Sequence, residues 1–160
     1  MFQEKYDKSS VESIVAYSKL LTGKSLDEVV TLPGNVENLK NKGDLGRLVE
    51  THFFEIDPSK QQIDFPDAGL ELKVTGLLSK SDGSFSAKER LVLGMINFHA
   101  LIEEDWETSY VYIKCQLMLI LFYLYNKDLP RVHQKFVLPP LLFKISEWDE
   151  EDLKRDWHVI

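Results

Sequence analysis

Nine consecutive apolar or aromatic residues, Leu117 to Tyr125 (LMLILFYLY), stand in the second half of this 160-residue chain. A membrane-spanning helix needs roughly 20 such residues, so the run is far too short to be one. Nor does the start, MFQEKYDKSS, contain the apolar core of a signal peptide. The run is therefore a core strand, with Gln116 to Tyr125 as its bounds, and it commits the chain to a fold with a central sheet. With 44% apolar residues there is enough material for one domain with a substantial core. The one cysteine, Cys115, can form no internal disulfide, which fits a reducing, cytoplasmic compartment. It reads as a small buried apolar residue rather than a nucleophile.

A second stretch, Ile63 to Thr75 (IDFPDAGLELKVT), carries the chemistry. Leu70 to Val74 alternates apolar and polar residues, as a strand with one buried face does. Side chains repeat every two residues on a strand, so Glu71 and Lys73 project from the same face. Pro66 and Gly69 allow the chain to turn and bring Asp64 back towards that face. Two carboxylates and an ammonium beside one strand suit metal-assisted hydrolysis of a phosphodiester. Carboxylate oxygens hold Mg²⁺, and a lysine orients the attacking water or stabilises charge on phosphate. By itself the spacing Asp-x6-Glu-x-Lys is a weak signal, since Glu-x-Lys on a strand is more often a solvated face. Asp67 also precedes Glu71, and Pro66-Asp67 imitates the Pro-Asp opening common among restriction endonucleases.

The remaining elements read in order. Ser9 and Ser10 cap a helix with apolar positions Val11, Ile14, Val15, Leu20 and Leu21, stopped at Gly23. Ser25 and Glu28 form a capping box for a short helix to Val30. Thr31 to Asn41 is a loop. Asp44 to Phe54 is a helix with Leu45, Leu48, Val49 and His52 or Phe53 on its apolar face, Glu50 on a neighbouring stripe, and Gly43 and Gly46 for close backbone approach. Ser81 to Ser84 is a hairpin turn, and Leu91 to Phe98 (LVLGMINF) is expected to be a buried strand, with Lys88 and Arg90 before it. Ser109 to Cys115 is a helical turn that puts Lys114 at the start of the apolar strand. Lys135 to Ile145 is a strand interrupted by Pro139-Pro140, hence an edge or a bulge. Asp149 to Ile160 begins as an acid-capped helix with Leu153 and Trp157 on one face. The expected fold is α/β (mixed α+β), a central mixed sheet flanked by helices.

Several motifs resemble, in order and spacing, the MutH mismatch-repair endonuclease family. They are Asn38-Leu39-Lys40, Lys42 to Glu50, Asp64-x6-Glu71-Leu72-Lys73, and Trp106-Glu107-Thr108-Ser109 followed by Lys114. Ser86 to Leu93 (SAKERLVL) is more similar to the GATC-cutting type II restriction endonucleases of the same family. The resemblance spans roughly Gly34 to Trp157. It implies a restriction-endonuclease-like fold and Mg²⁺-dependent cleavage of double-stranded DNA at GATC. Its spacing selects Asp64 over Asp67, with Asp64 and Glu71 as metal ligands, Lys73 as the catalytic lysine, and Glu50 and Lys114 in support. It also implies a single endonuclease-like domain, residues 1–160, as the N-terminal part of a longer enzyme that dimerises or carries a second similar domain. A nicking mismatch-repair enzyme and a non-catalytic DNA-binding or effector domain of the same fold are the alternatives, and no membrane association is expected. The formal charge of −7 counts against a simple nucleic-acid binder. Much of that charge is local, however, because Glu147, Asp149, Glu150, Glu151, Asp152 and Asp156 crowd the last fourteen residues.

Overall fold

The structure is a computed structural model that describes residues 5–34, 44–57, 63–94, 99, 102–147 and 150–159. Four strands form one sheet in the order β2-β1-β3-β4. They are β1 (Glu71–Ser79), β2 (Phe85–Ala87), β3 (Leu117–Leu124) and β4 (Leu141–Lys144). The central pair β1 and β3 is parallel, with Glu71 opposite Met118 and Leu77 opposite Leu124. Both outer strands run antiparallel to their neighbours. The apolar run Leu117 to Tyr125 thus became an interior strand, flanked on both edges, as its composition demands. The sheet is mixed and flanked by helices, the α+β architecture that the sequence implied.

Alternation sets the two faces of the central pair. Leu72, Leu119, Leu121 and Tyr123 point into the main core. There they meet Ile14 of α1 (Val11–Ser18) together with Leu45, Leu48, Val49, Phe53 and Phe54. Helix α1 starts where its cap residue predicts, since the Ser10 hydroxyl accepts the Ser13 N–H at 3.3 Å. It tightens into a 3-10 turn, Lys19–Leu21, before Gly23 turns the chain at φ 80°. The Ser25/Glu28 capping box closes a single 3-10 turn, Leu26–Glu28.

Helix α2 (Asp44–Leu48) widens into a π-helical turn, Val49–Phe53, which carries Glu50. The close approach expected at Gly46 is absent. A Cβ there would meet Val74 Cβ at 3.8 Å, an ordinary contact, and Gly43 lies outside the described residues. The turn Ser81–Ser84 does close a hairpin, with Lys80 N–H donating to the Ser84 carbonyl at 2.8 Å and Gly83 at φ 82°.

The returning strand is not the one expected. β2 is Phe85–Ala87, whereas Leu91 to Gly94 forms no strand and Val92 is 61% exposed. Positions 95–98 of the expected strand lie outside the described residues. The physical reason is the short hairpin. The antiparallel register Leu77↔Ala87 leaves the edge of β1 within three paired residues, so the apolar stretch falls beyond the sheet.

Helix α3 (Tyr110–Cys115) leads straight into β3, and Ser109 caps it by accepting the Tyr112 N–H at 3.1 Å. β4 is confined to the four residues after Pro139-Pro140 and forms the outer edge, the position where prolines are tolerated. Helix α4 (Glu150–His158) returns Leu153 and Trp157 to a second, smaller core of Trp106, Cys115 and Ile145. Among the described residues no helix is long and apolar enough to cross a membrane.

Candidate active site

The site is assembled at the start of β1, and a tight turn supplies its first member. Phe65 and Leu70 exchange backbone hydrogen bonds of 2.9 and 3.1 Å. Between them lies a 3-10 turn, Pro66–Ala68, with Pro at its start and Gly69 left-handed at φ 62°. Only a residue tolerant of positive φ closes so short a return without strain. The turn folds Asp64 back alongside the strand, where its Oδ2 accepts the Leu72 N–H at 2.8 Å. Asp67, the other candidate first carboxylate, rides on the outside of this turn and is exposed.

Glu71 is the centre of the cluster and is only 3% exposed. Lys73, two residues on and on the same face, donates to Glu71 Oε1 at 2.8 Å. Lys114, from the last turn of α3, reaches the same carboxylate and donates to Oε1 at 2.8 Å and Oε2 at 3.0 Å. A carboxylate this deep is tolerated only when paired and hydrogen-bonded, and two ammonium groups satisfy it. Lys114 itself is partly desolvated, which opposes its charge. The hydrogen bonds and field of Glu71 outweigh that, and its pKa is raised above the ordinary lysine value.

The other two carboxylates are less fully compensated. Burial, and then the charge of Glu71, push Asp64 up to a pKa of about 6 against the bond from the Leu72 amide. Burial, and then the charges of Asp64 and Glu71, push Glu50 up to about 7, while Lys73 and Lys114 pull the other way. All five sequence candidates therefore share one electrostatic neighbourhood, although they come from a π-helical turn, a loop, a strand and a helix. Crowded, desolvated carboxylates at the mouth of a strand are a marker of functional sites. A divalent cation would relieve this crowding, and an all-oxygen donor set suits a hard one. Among the described residues no group of three or more His, Cys, Asp or Glu side chains is gathered closely enough to hold a metal by itself. Asp64 and Glu71 would be the carboxylate donors to such a cation, with carbonyl and water oxygens completing its shell.

Two other residues raised by the sequence make no bond to this cluster among the described contacts. Lys88 lies 4.5 Å from the centre of the Tyr125 ring and 3.3 Å from the Glu89 carboxylate. Cys115 is buried, and desolvation pushes its thiol up to about 11, so it packs rather than reacts. Tyr6 and Lys8, which grip the end of the helix that carries Glu50, were not singled out in the sequence. Nothing in an isolated N-terminal tyrosine or lysine marks such a contact.

The mixed sheet and its flanking helices define an α+β domain of restriction-endonuclease-like fold, and comparison with known families agrees. The family model described as DNA mismatch repair enzyme MutH matches residues 54–156. The chain belongs to this MutH family. It is 32% identical over 145 residues to the type II restriction enzyme Sau3AI of Staphylococcus aureus, covering 89% of this chain and 29% of that protein. It is 32% identical over 155 residues to the DNA mismatch repair protein MutH of Shigella flexneri, covering 93% of this chain and 64% of that protein. The corresponding Shewanella woodyi protein is 28% identical over 154 residues, with 94% and 64% covered. The chain thus spans under a third of the first relative's length and a little under two thirds of the others'.

Proposed function

We propose that this chain is the catalytic part of a Mg²⁺-dependent DNA endonuclease, a type II restriction enzyme that cuts both strands at GATC. The observation that carries the reading is the cluster of Asp64, Glu71 and Lys73, with Lys114 and Glu50 beside it. A degenerate, non-catalytic copy of the fold would have no need to keep an acid–acid–lysine set in contact. Asp64 and Glu71 would hold the cation, together with a backbone carbonyl near Leu72. When bound, the metal supplies Lewis acidity and a more acidic water. Lys73 turns its ammonium from Glu71 towards the attacking water and the scissile phosphate, where charge develops in the transition state. Lys114 holds the Glu71 carboxylate in place through bonds to both of its oxygens. Glu50, with a pKa of about 7, can take up or release a proton beside that water near neutral pH.

A second reading is a MutH-like enzyme that nicks one strand. It is favoured by the family model itself and by the larger share of the MutH relatives that the chain covers. One experiment separates the two. The full-length protein is incubated with supercoiled DNA carrying a single GATC, unmethylated or hemimethylated, with and without Mg²⁺. Linear product from unmethylated DNA supports the restriction enzyme, and nicked circles from hemimethylated DNA support the mismatch-repair enzyme. Absence of cleavage in both, with DNA bound, would leave an effector domain and overturn the enzymatic reading.

A further inference from the structure

Three side chains near the N-terminus converge on the end of the helix that carries Glu50. The Tyr6 hydroxyl donates to the Phe54 carbonyl at 2.6 Å in a buried bond. Lys8 donates to the Glu55 carbonyl at 2.7 Å, and Lys5 pairs with the Glu55 carboxylate at 2.5 Å. Last carbonyls of a helix are unsatisfied within it and attract donors and cations. This helix end is unusual in closing through Glu55 at φ 54°, the one non-glycine with positive φ among the described residues. Through that conformation the Ile56 N–H reaches the carbonyl of Glu50 itself at 2.9 Å, while Phe54 N–H takes the Val49 carbonyl at 3.0 Å. A left-handed non-glycine persists where its surroundings hold it, and here Lys5, Tyr6 and Lys8 do so.

The Tyr6 ring reaches further. It stacks on Tyr17 with centroids 4.4 Å apart and meets Phe54 edge-on at 5.7 Å. It also meets Phe65 edge-on at 6.5 Å. Phe65 is the neighbour of Asp64 and the residue whose backbone closes the turn on Leu70, next to Glu71. One side chain therefore touches the helix end below Glu50 and the loop that returns Asp64. We infer that Lys5 to Lys8 form a clasp in which Tyr6 is a positioning residue, fixing the helix end that carries Glu50 against the turn that carries Asp64. Its consequence for cleavage rests on the endonuclease reading, while the clasp itself does not.

The test is Tyr6→Phe in the full chain, which keeps the ring and removes one buried bond. Amide hydrogen exchange reads the geometry directly. The Ile56 amide reports the helix end, and the Leu72 amide, held by Asp64, reports the carboxylate loop. Exchange at both is expected to rise about tenfold, while Leu119 in β3 stays unchanged. Single-turnover cleavage in Mg²⁺ is expected to fall about tenfold or more, since small misplacements of a catalytic group are amplified in rate. An unchanged Leu72 amide overturns the inference. So does equal acceleration of Ile56, Leu72 and Leu119, which would mark Tyr6 as a purely structural core residue. Should Tyr6→Phe fold poorly, Lys8→Met removes the exposed bond to the Glu55 carbonyl together with the charge beside the Glu55 carboxylate, and is expected to loosen Ile56 and Leu72 in the same way, with the same overturning results. If Leu72 loosens in the variant but the wild type cleaves no DNA, the endonuclease reading falls and the clasp stands. If the wild type cleaves and Leu72 does not respond, the clasp alone falls.

Discussion

Lys73 and Lys114 both hold Glu71, yet they come from different elements and serve different ends. Lys73 shares a strand face with Glu71, and the proposed mechanism gives it the developing charge to act on. Lys73→Ala is therefore expected to lower single-turnover cleavage about a hundredfold or more while gel-shift affinity for DNA is nearly kept. Equal losses in rate and affinity would make Lys73 a binding residue only. The two candidate aspartates are separated in the same assay. Asp64→Ala should abolish cleavage and weaken Mn²⁺ binding in calorimetry, whereas Asp67→Ala, out on the turn, should leave both largely intact. Glu50 gives a pH signature. Its folded pKa, about 7, lies above its ordinary value of 4.5, so between those values the folded protein binds more protons than the unfolded chain. Stability of the metal-free protein should then fall as pH rises through that window and level off above it. Glu50→Gln should flatten this slope and leave the protein more stable than wild type at pH 8, as measured by urea titration at several pH values.

Two glycines on the elements around the site should respond in opposite ways. Gly46 sits inside α2 with room for a Cβ, so Gly46→Ala should stabilise by up to about 1 kcal/mol through helix propensity. Gly69 closes the Asp64 turn at φ 62°, and Gly69→Ala should destabilise by about 1–2 kcal/mol. It should also cost cleavage, because the strain falls on the loop that returns Asp64. Denaturant melts and cleavage rates on both variants check the pair. The same elements explain what the sequence could carry. Alternation marked β1, an unbroken apolar run marked β3, and the Ser10 and Ser25 caps marked helix starts, because each is a local pattern. Leu91 to Phe98 misled, since a short apolar run reads alike whether it enters a sheet or runs past its edge. The π-helical turn under Glu50 had no visible signal, because tertiary contacts at Tyr6, Lys8 and Phe65 hold the end of that helix. The five site residues were legible mainly through the order of several motifs; Asp-x6-Glu-x-Lys alone also suited a solvated face.

For the whole molecule, a net charge of −7 and a proposed DNA substrate make divalent cations matter to binding as well as chemistry. In the proposed complex the phosphate would approach a cluster of three carboxylates, Asp64, Glu71 and Glu50, of which Glu71 is paired with two lysines. Non-cleaving Ca²⁺ should therefore raise the affinity of the full-length protein for a GATC duplex about tenfold or more at constant ionic strength. Fluorescence anisotropy with Ca²⁺ against chelator measures it, and no difference would place the phosphates away from these carboxylates. The parallel pairing of β1 with β3 carries a further consequence, for the order in which the protein is made. Glu71 lies opposite Met118, so the central ladder cannot zip until well over a hundred residues have left the ribosome, and such distant pairings form late. Lys114, which neutralises Glu71, arrives in that same late segment. Until then Glu71 has Lys73, its neighbour on the same strand, but lacks the second ammonium that the folded site gives it. Completion of the charge-balanced cluster is thus tied to the docking of β3 rather than to the synthesis of Asp64 and Glu71 themselves.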